Sequence, residues 1–308
     1  MKTKTLEDEY SQEIIRCKKM KTKTLKDEYS QEMIFIKESI KETVQMTDGQ
    51  EIPCYYSKEQ GNFEKTTFLF IQGVGPGVYS WTDFWDELYK KYDLVIIDSR
   101  EKPTVNLKKK VECSVNRMSL DILEMMHHLR IKENNIIFFG SSIGVHYIAH
   151  CIGQGWIKPK GCFLVGPSVA PNHPKITTTL AFSLPSFLLE KIGKQIARRF
   201  LKNKIKNEFQ KKVYHDRINK IDVRRWKQCS KVRNWNSSDN LRKIECPVFI
   251  FSATEDRYHN IENARLVGQL VQDSRFVDVP DYNFIHTKPG VIEYVNMIEK
   301  LIEEIDSK

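Results

Sequence analysis

No apolar run in this 308-residue sequence approaches the roughly 20 consecutive apolar positions that a membrane-spanning helix requires. The runs present are short, such as Leu94–Ile97, Ile136–Phe139 and Val248–Phe251. No secretory leader is expected either, because Glu7, Asp8 and Glu9 fall where its apolar stretch would lie. The seven cysteines (Cys17, Cys54, Cys113, Cys151, Cys162, Cys229 and Cys246) form an odd, scattered set without a C-x-x-C pair. That pattern is neither a disulfide framework nor a zinc signature. Together these absences predict a soluble, cytoplasmic protein in a reducing compartment. What is there is 40% apolar and 11% aromatic, too apolar for disorder and enough for one large core or two modest domains.

The net charge of +9 is unevenly spread. Residues 172–243 hold 19 Lys/Arg and 5 Asp/Glu, a local +14, and the remaining 30 basic and 35 acidic residues sum to −5. The basic excess therefore belongs to one segment and does not mark the chain as a nucleic-acid binder.

Residues 1–15 return almost unchanged as residues 20–34, an offset of 19. Two copies with so few apolar positions cannot stack as a solenoid, which takes about three repeats. Residues 1–34 read as a duplicated N-terminal extension, frayed or disordered, with Met1 and Met20 as alternative translation starts. Beyond it, Glu42–Met46 alternates, Asp48-Gly49 supplies a tight turn and Glu51–Tyr56 follows, which predicts a hairpin. Continuous apolar strands are then expected at Thr67–Ile71, Leu94–Asp98, Ile136–Phe139, Cys162–Val165, Val248–Phe251 and Phe276–Val279. Amphipathic helices are expected at Trp81–Lys90, Met118–Arg130, Ile143–Gly153, Glu262–Val271 and Val291–Ile305. Strands apolar along their whole length are buried on both faces, and their alternation with helices implies parallel crossover units. The fold class predicted is α/β: an eight-stranded, mostly parallel sheet with helices on both faces. Some 80 residues between Val165 and Val248 greatly exceed an ordinary connection and carry the basic segment. They read as an inserted helical cap, giving a core at 35–168, a cap at 169–243 and a second part of the core at 244–308.

The motif with chemical content is Gly140-Ser141-Ser142-Ile143-Gly144, directly after one strand and before a helix. A G-x-S-x-G turn of this kind strains its central serine, lifts the hydroxyl above the sheet, and needs small flanking residues because strand and helix pass closely. Ser142 is the candidate nucleophile. A serine needs a base, and the base a carboxylate that holds its tautomer. Asp256 follows the strand at Val248–Phe251 and His286 follows the strand at Phe276–Val279, so both belong to the sheet edge where Ser142 stands. Glu255 competes with Asp256 as the acid, and His259 is a reserve base. His127 and His128 lie on a predicted helix. His146 and His150 are spaced i, i+4, but without a third ligand or an H-E-x-x-H they read as packing or surface residues.

From about residue 40 to 305 the chain resembles the α/β-hydrolase superfamily in the order nucleophile, acid, histidine and in a cap after the sixth strand. The resemblance implies a Ser142–His286–Asp256 triad. It also implies an oxyanion hole formed by the N–H groups of Ile143 and of Val74, the latter in Gln72-Gly73-Val74-Gly75-Pro76-Gly77, where Gln72 stands in place of a usual histidine. The other acid position of that superfamily, after the sixth strand, is closed, since residues 164–189 contain no Asp or Glu. Asp98-Ser99-Arg100 is similar to another of its motifs without the final glycine and takes a structural role.

The expected activity is hydrolysis of carboxylic esters or thioesters through an acyl-enzyme, with neither metal nor organic cofactor. Acyl transfer on the same triad and a catalytically silent binding protein are the alternatives. The basic cap reads as a solvated surface, a site for an anionic substrate group, or an anionic-membrane contact built on Phe182, Leu184, Phe187, Leu188 and Leu189 ahead of Lys191, Lys194, Arg198 and Arg199. Nucleic acid is the least favoured partner.

Overall fold

The computed structural model describes residues 33–73, 78, 81–171, 185–195, 198–199, 208–220, 222–229, 232, 234–253 and 259–307. The duplicated extension up to residue 32 lies outside them. Eight strands form one sheet: β1 Ile40–Gln45, β2 Glu51–Tyr56, β3 Thr67–Ile71, β4 Asp93–Ile97, β5 Ile136–Ser141, β6 Gly161–Val165, β7 Val248–Ala253 and β8 Ser274–Val279. Their spatial order is β1-β2-β4-β3-β5-β6-β7-β8. β1 and β2 are the expected hairpin, closed at Asp48-Gly49 with Gly49 at φ +79°. β2 joins β4 antiparallel, and every pairing from β4 to β8 is parallel. β3, β4, β6 and β7 are buried throughout and β5 as far as Gly140, as apolar strands covered on both faces must be, whereas β1 and β8 at the edges are partly exposed.

Successive side chains on a strand point to opposite faces, and the sheet sorts them into two cores. Leu69, Ile71, Val95, Phe138, Leu164 and Ile250 face α3 Val115–Leu129, α4 Gly144–Gly153 and α8 Ile261–Leu270. Phe68, Phe70, Ile96, Phe139, Phe163 and Phe251 face α1 Ile34–Glu38, α2 Thr82–Tyr89 and α9 Gly290–Asp306. This second face is unusually aromatic: Phe70 stacks on Phe139 at 4.6 Å and meets Trp85 edge-on at 4.2 Å. Each such side chain contributes about 1.5–3 kcal/mol on burial.

Local chemistry sets the helix limits. Ser114 caps α3 by accepting a hydrogen bond from Arg117 N at 3.1 Å, and the helix stops where Arg130 turns left-handed at φ 53°. On α9, Val291, Tyr294, Val295, Ile298, Leu301, Ile302 and Ile305 form one buried stripe at helical spacing. Helix limits match the expected spans to within a few residues. Of the insertion between β6 and β7, the described parts include helical turns at 186–195, α5 Glu208–Lys220, α6 Val223–Gln228 and α7 Ser238–Leu241. Phe182 and Leu184 lie outside the described residues.

The Asp98-Ser99-Arg100 segment is structural, as expected. Arg100 is fully buried, with its five N–H donors divided among Asp48, Asp121 and the Glu112 carbonyl. It ties the hairpin turn to α3.

Candidate active site

β5 ends at Ser141, and the next residue, Ser142, adopts φ +51°. A left-handed serine costs of order 1–3 kcal/mol and persists only where its surroundings impose it. Here Ser142 N donates to Val165 O at 3.0 Å, Val145 N donates to Ser142 O at 3.1 Å, and α4 starts two residues on. The turn is possible because Gly144 passes so close to β3 that a Cβ there would sit 2.2 Å from Ile71 O. Gly73, in the loop after β3, lies against the turn: a Cβ on it would be 3.0 Å from Ser142 Cβ and 3.2 Å from Ser141 O. Ser142 is thus a half-buried residue that lies against Gly73 and immediately precedes Ile143, the cap residue of α4. Unpaired N–H groups at a helix start favour negative charge.

His286 is buried, 3% exposed, in the loop after β8. Its ring lies between Trp81 (centroids 4.0 Å apart, planes at 29°) and Tyr282 (3.8 Å, 13°). Trp81 in turn packs on Phe139 of β5 and Phe70 of β3, so the imidazole belongs to the strand ends that carry Ser142 and Gly73. His286 Nδ1 is 2.9 Å from the main-chain carbonyl of Tyr282. A carbonyl can only accept, so Nδ1 carries a proton and Nε2 is the lone-pair nitrogen of the neutral ring. That is the tautomer a base needs. The segment between β6 and β7 reaches this loop, with the Tyr214 ring of α5 6.2 Å from that of Tyr282.

Asp256, Glu255 and Val74 lie outside the described residues. His259 packs over the end of β6, where a Cβ on Gly166 would meet its Cγ at 2.9 Å. His128 bonds Glu42 and Gln60 at the hairpin, away from Ser142. His150 bonds Asn116 and meets Trp156 and Trp235 edge-on. Among the described residues no group of three or more His, Cys, Asp or Glu could hold a metal ion. No helix among them is long and apolar enough to cross a membrane.

His146 is wholly buried, with Nδ1 2.8 Å from Ser237 Oγ, and burial pushes its imidazole down to about 4. The unfolded chain takes that proton near the ordinary value of about 6.5. The contribution is therefore complete above that value and is lost as pH falls from about 6.5 toward 4. Lowering pH from 7.5 to 4.5 is expected to cost wild type about 2.5 kcal/mol more than His146→Gln, read from urea unfolding. Equal losses in the two proteins would refute this.

Sequence reasoning did not anticipate three neighbours of the site. The Tyr282 carbonyl is main chain and leaves no trace in residue identity. Trp81 was visible only as the start of an amphipathic helix. Lys102, buried beside Gly73 with Nζ on the Gln72 and Gly73 carbonyls, reads as an ordinary surface charge.

No protein-family model matches the sequence. Nor does any curated protein match it by sequence. Solved structures do match in three dimensions. A thermophilic esterase from Thermogutta terrifontis aligns over 87% of this chain and 98% of its own, with TM-score 0.67 and 15% identity. A bromoperoxidase from Bacillus anthracis aligns over 85% and 100%, with TM-score 0.67 and 14% identity. The enol-lactonase from Burkholderia xenovorans LB400 aligns over 87% and 100%, with TM-score 0.62 and 13% identity. The chain has the α/β-hydrolase fold. The eight-stranded, mostly parallel sheet with its helices is the architecture the sequence led one to expect. The three chemistries named also differ among themselves, so the reaction must be argued from the site.

Proposed function

We propose that the protein is a serine hydrolase that cleaves carboxylic esters or thioesters. Ser142 Oγ attacks the acyl carbonyl while His286 Nε2 takes its proton. The tetrahedral oxyanion is held by the N–H groups of Ile143 and Val74. His286 then returns the proton to the departing alcohol or thiol, leaving the acyl group on Ser142. A water attacks in the same way, giving its proton to His286, and the acid is released with Ser142 restored. Asp256 and the Tyr282 carbonyl share the orientation of the imidazole. None of these steps requires a metal or organic cofactor.

The observation that carries this reading is the strained φ of Ser142 between the Gly73 backbone and the start of α4. A serine in an ordinary connecting loop has no need of that geometry.

Fluorophosphonate labelling tests it. The wild-type protein is expected to gain one adduct, located by mass spectrometry on the peptide containing Ser142, and Ser142→Ala to gain none. A folded wild type that neither labels nor hydrolyses a ladder of p-nitrophenyl esters or acyl-CoA thioesters would point to the silent binding protein instead.

A further inference from the structure

The base proposed above works by becoming a cation: when His286 Nε2 takes the Ser142 proton, a neutral imidazole turns into an imidazolium. That happens inside the protein, since His286 is 3% exposed, and a charge shielded from water is costly unless other groups replace the water. Charged groups on the same loop and on α2 have other partners. Asp281 accepts from Phe284 N at 2.9 Å, Asp83 from Lys288 N at 3.0 Å and Asp86 from Ile34 N and Phe35 N, while Glu87 lies 3.0 Å from Lys288 Nζ.

What faces the imidazole is two aromatic rings, Trp81 at 4.0 Å and Tyr282 at 3.8 Å between centroids, both stacked on it. An aromatic face is negative, so it attracts a cation within about 6 Å of its centroid, by a factor of about 2 to 30 in an equilibrium. Both rings are fixed. Trp81 is buried and packs on Phe70, Phe84 and Phe139 at 5.5, 5.6 and 5.9 Å. Tyr282 stands four residues before His286 in a turn closed by His286 N and Thr287 N, which donate to Asn283 O at 3.0 and 2.8 Å, and its ring meets Tyr214 at 6.2 Å. Rings on two sides leave the imidazole free to rotate only in its own plane. The bond between Nδ1 and the Tyr282 carbonyl, 2.9 Å long, stops that rotation.

We infer that Trp81 and Tyr282 are positioning residues whose ring faces hold the His286 imidazole and favour the cation it becomes on taking the Ser142 proton. The electrostatic attraction is weak for the resting, neutral ring and grows as the proton moves. It therefore stabilises the transition state more than the bound substrate, and its effect falls on kcat and not on KM.

The inference rests on the ester-hydrolase reading, and the experiment separates the two. Wild type must first hydrolyse p-nitrophenyl butyrate, take up fluorophosphonate at Ser142 and lose its activity in His286→Ala; failure of any of these refutes the reading, and the inference with it. In an active protein, Tyr282→Phe serves as the reference for mono-, di- and trifluorophenylalanine at the same position, which keep the ring's shape while draining negative charge from its face. Along that series kcat per fluorophosphonate-titrated site is expected to fall stepwise, about threefold to tenfold overall, with KM within about threefold. Trp81→Leu, which removes the other face, is expected to lower kcat about tenfold at similar KM, and Trp81→Phe to recover part of that loss. A kcat that stays level across the fluorinated series would overturn the inference, because packing alone gives that result. So would losses confined to KM or to the melting temperature.

Discussion

Ser142→Ala is expected to lower kcat/KM for p-nitrophenyl esters by about 10⁴-fold or more, equivalent to about 5.5 kcal/mol of transition-state stabilisation. The size follows from the chemistry proposed. Without the hydroxyl no acyl-enzyme forms, and only substrate binding and the oxyanion donors are left to act on direct attack by water. Because nucleophile and base act as one unit, His286→Ala should cost a similar amount and the double variant little more than either alone. Strain at this position is relieved by glycine alone. An alanine at φ +51° is no better accommodated than serine, whereas Ser142→Gly is, so Ser142→Gly should be inactive and slightly more stable. Steady-state assays with thermal melts check both parts. Activity within tenfold of wild type in Ser142→Ala would remove this serine as the nucleophile.

Arg100→Met is expected to destabilise the fold by about 3–5 kcal/mol without entering the chemistry. Arg100 is wholly inside the protein and bridges two carboxylates: Asp121 on α3, whose oxygens accept from Nε and Nη2 at 2.7 Å each, and Asp48 in the hairpin turn, contacted at 2.6 and 3.0 Å. The methionine would fill much of the volume. The cost comes from leaving Asp121, a nearly buried carboxylate, with one cation where it had two, since Arg117 remains 3.0 Å away. Adding Asp48→Asn and Asp121→Asn removes the stranded charges and is expected to restore a large part of the loss, because buried ion pairs contribute less than the penalty of breaking them. Urea denaturation of the single and triple variants separates the two effects. A single variant within 0.5 kcal/mol of wild type, a bound taken from ordinary surface substitutions, would show that this network is dispensable.

The two substitutions probe information of different kinds. Ser142 announces itself in five consecutive letters, Gly140 to Gly144, because the turn it occupies is a local object. Gly144 must be small where α4 crosses Ile71, and Ser142 must be where the strand stops and the helix begins. Arg100 shows nothing of the kind. Asp48 lies 52 residues before it and Asp121 lies 21 after, and neither spacing matches a strand or helix period. Lys102 is the same case nearer the site: a basic residue between Glu101 and Pro103 in a polar stretch is ordinarily a solvated charge, and only the folded chain brings the Gln72 and Gly73 carbonyls to it. The aromatic walls of His286 fall between these extremes. Tyr282 is four residues away and on the same loop, yet Trp81 is 205 residues distant and stacks on the ring only because α2 and the loop after β8 share one face of the sheet.

From residue order alone came the eight strands, the helices between them, the insertion after β6 and the turn that carries Ser142. Each of these is dictated by neighbours within a few positions, through a side-chain period of 2 or 3.6 and the steric demands of glycine. The tertiary structure decided which charges would be inside, which carbonyl would hold the imidazole proton, and what would lie against Gly73. Those choices depend on pairing groups remote in sequence once water is removed, and a buried charge reveals its partner only when the whole sheet has closed around it.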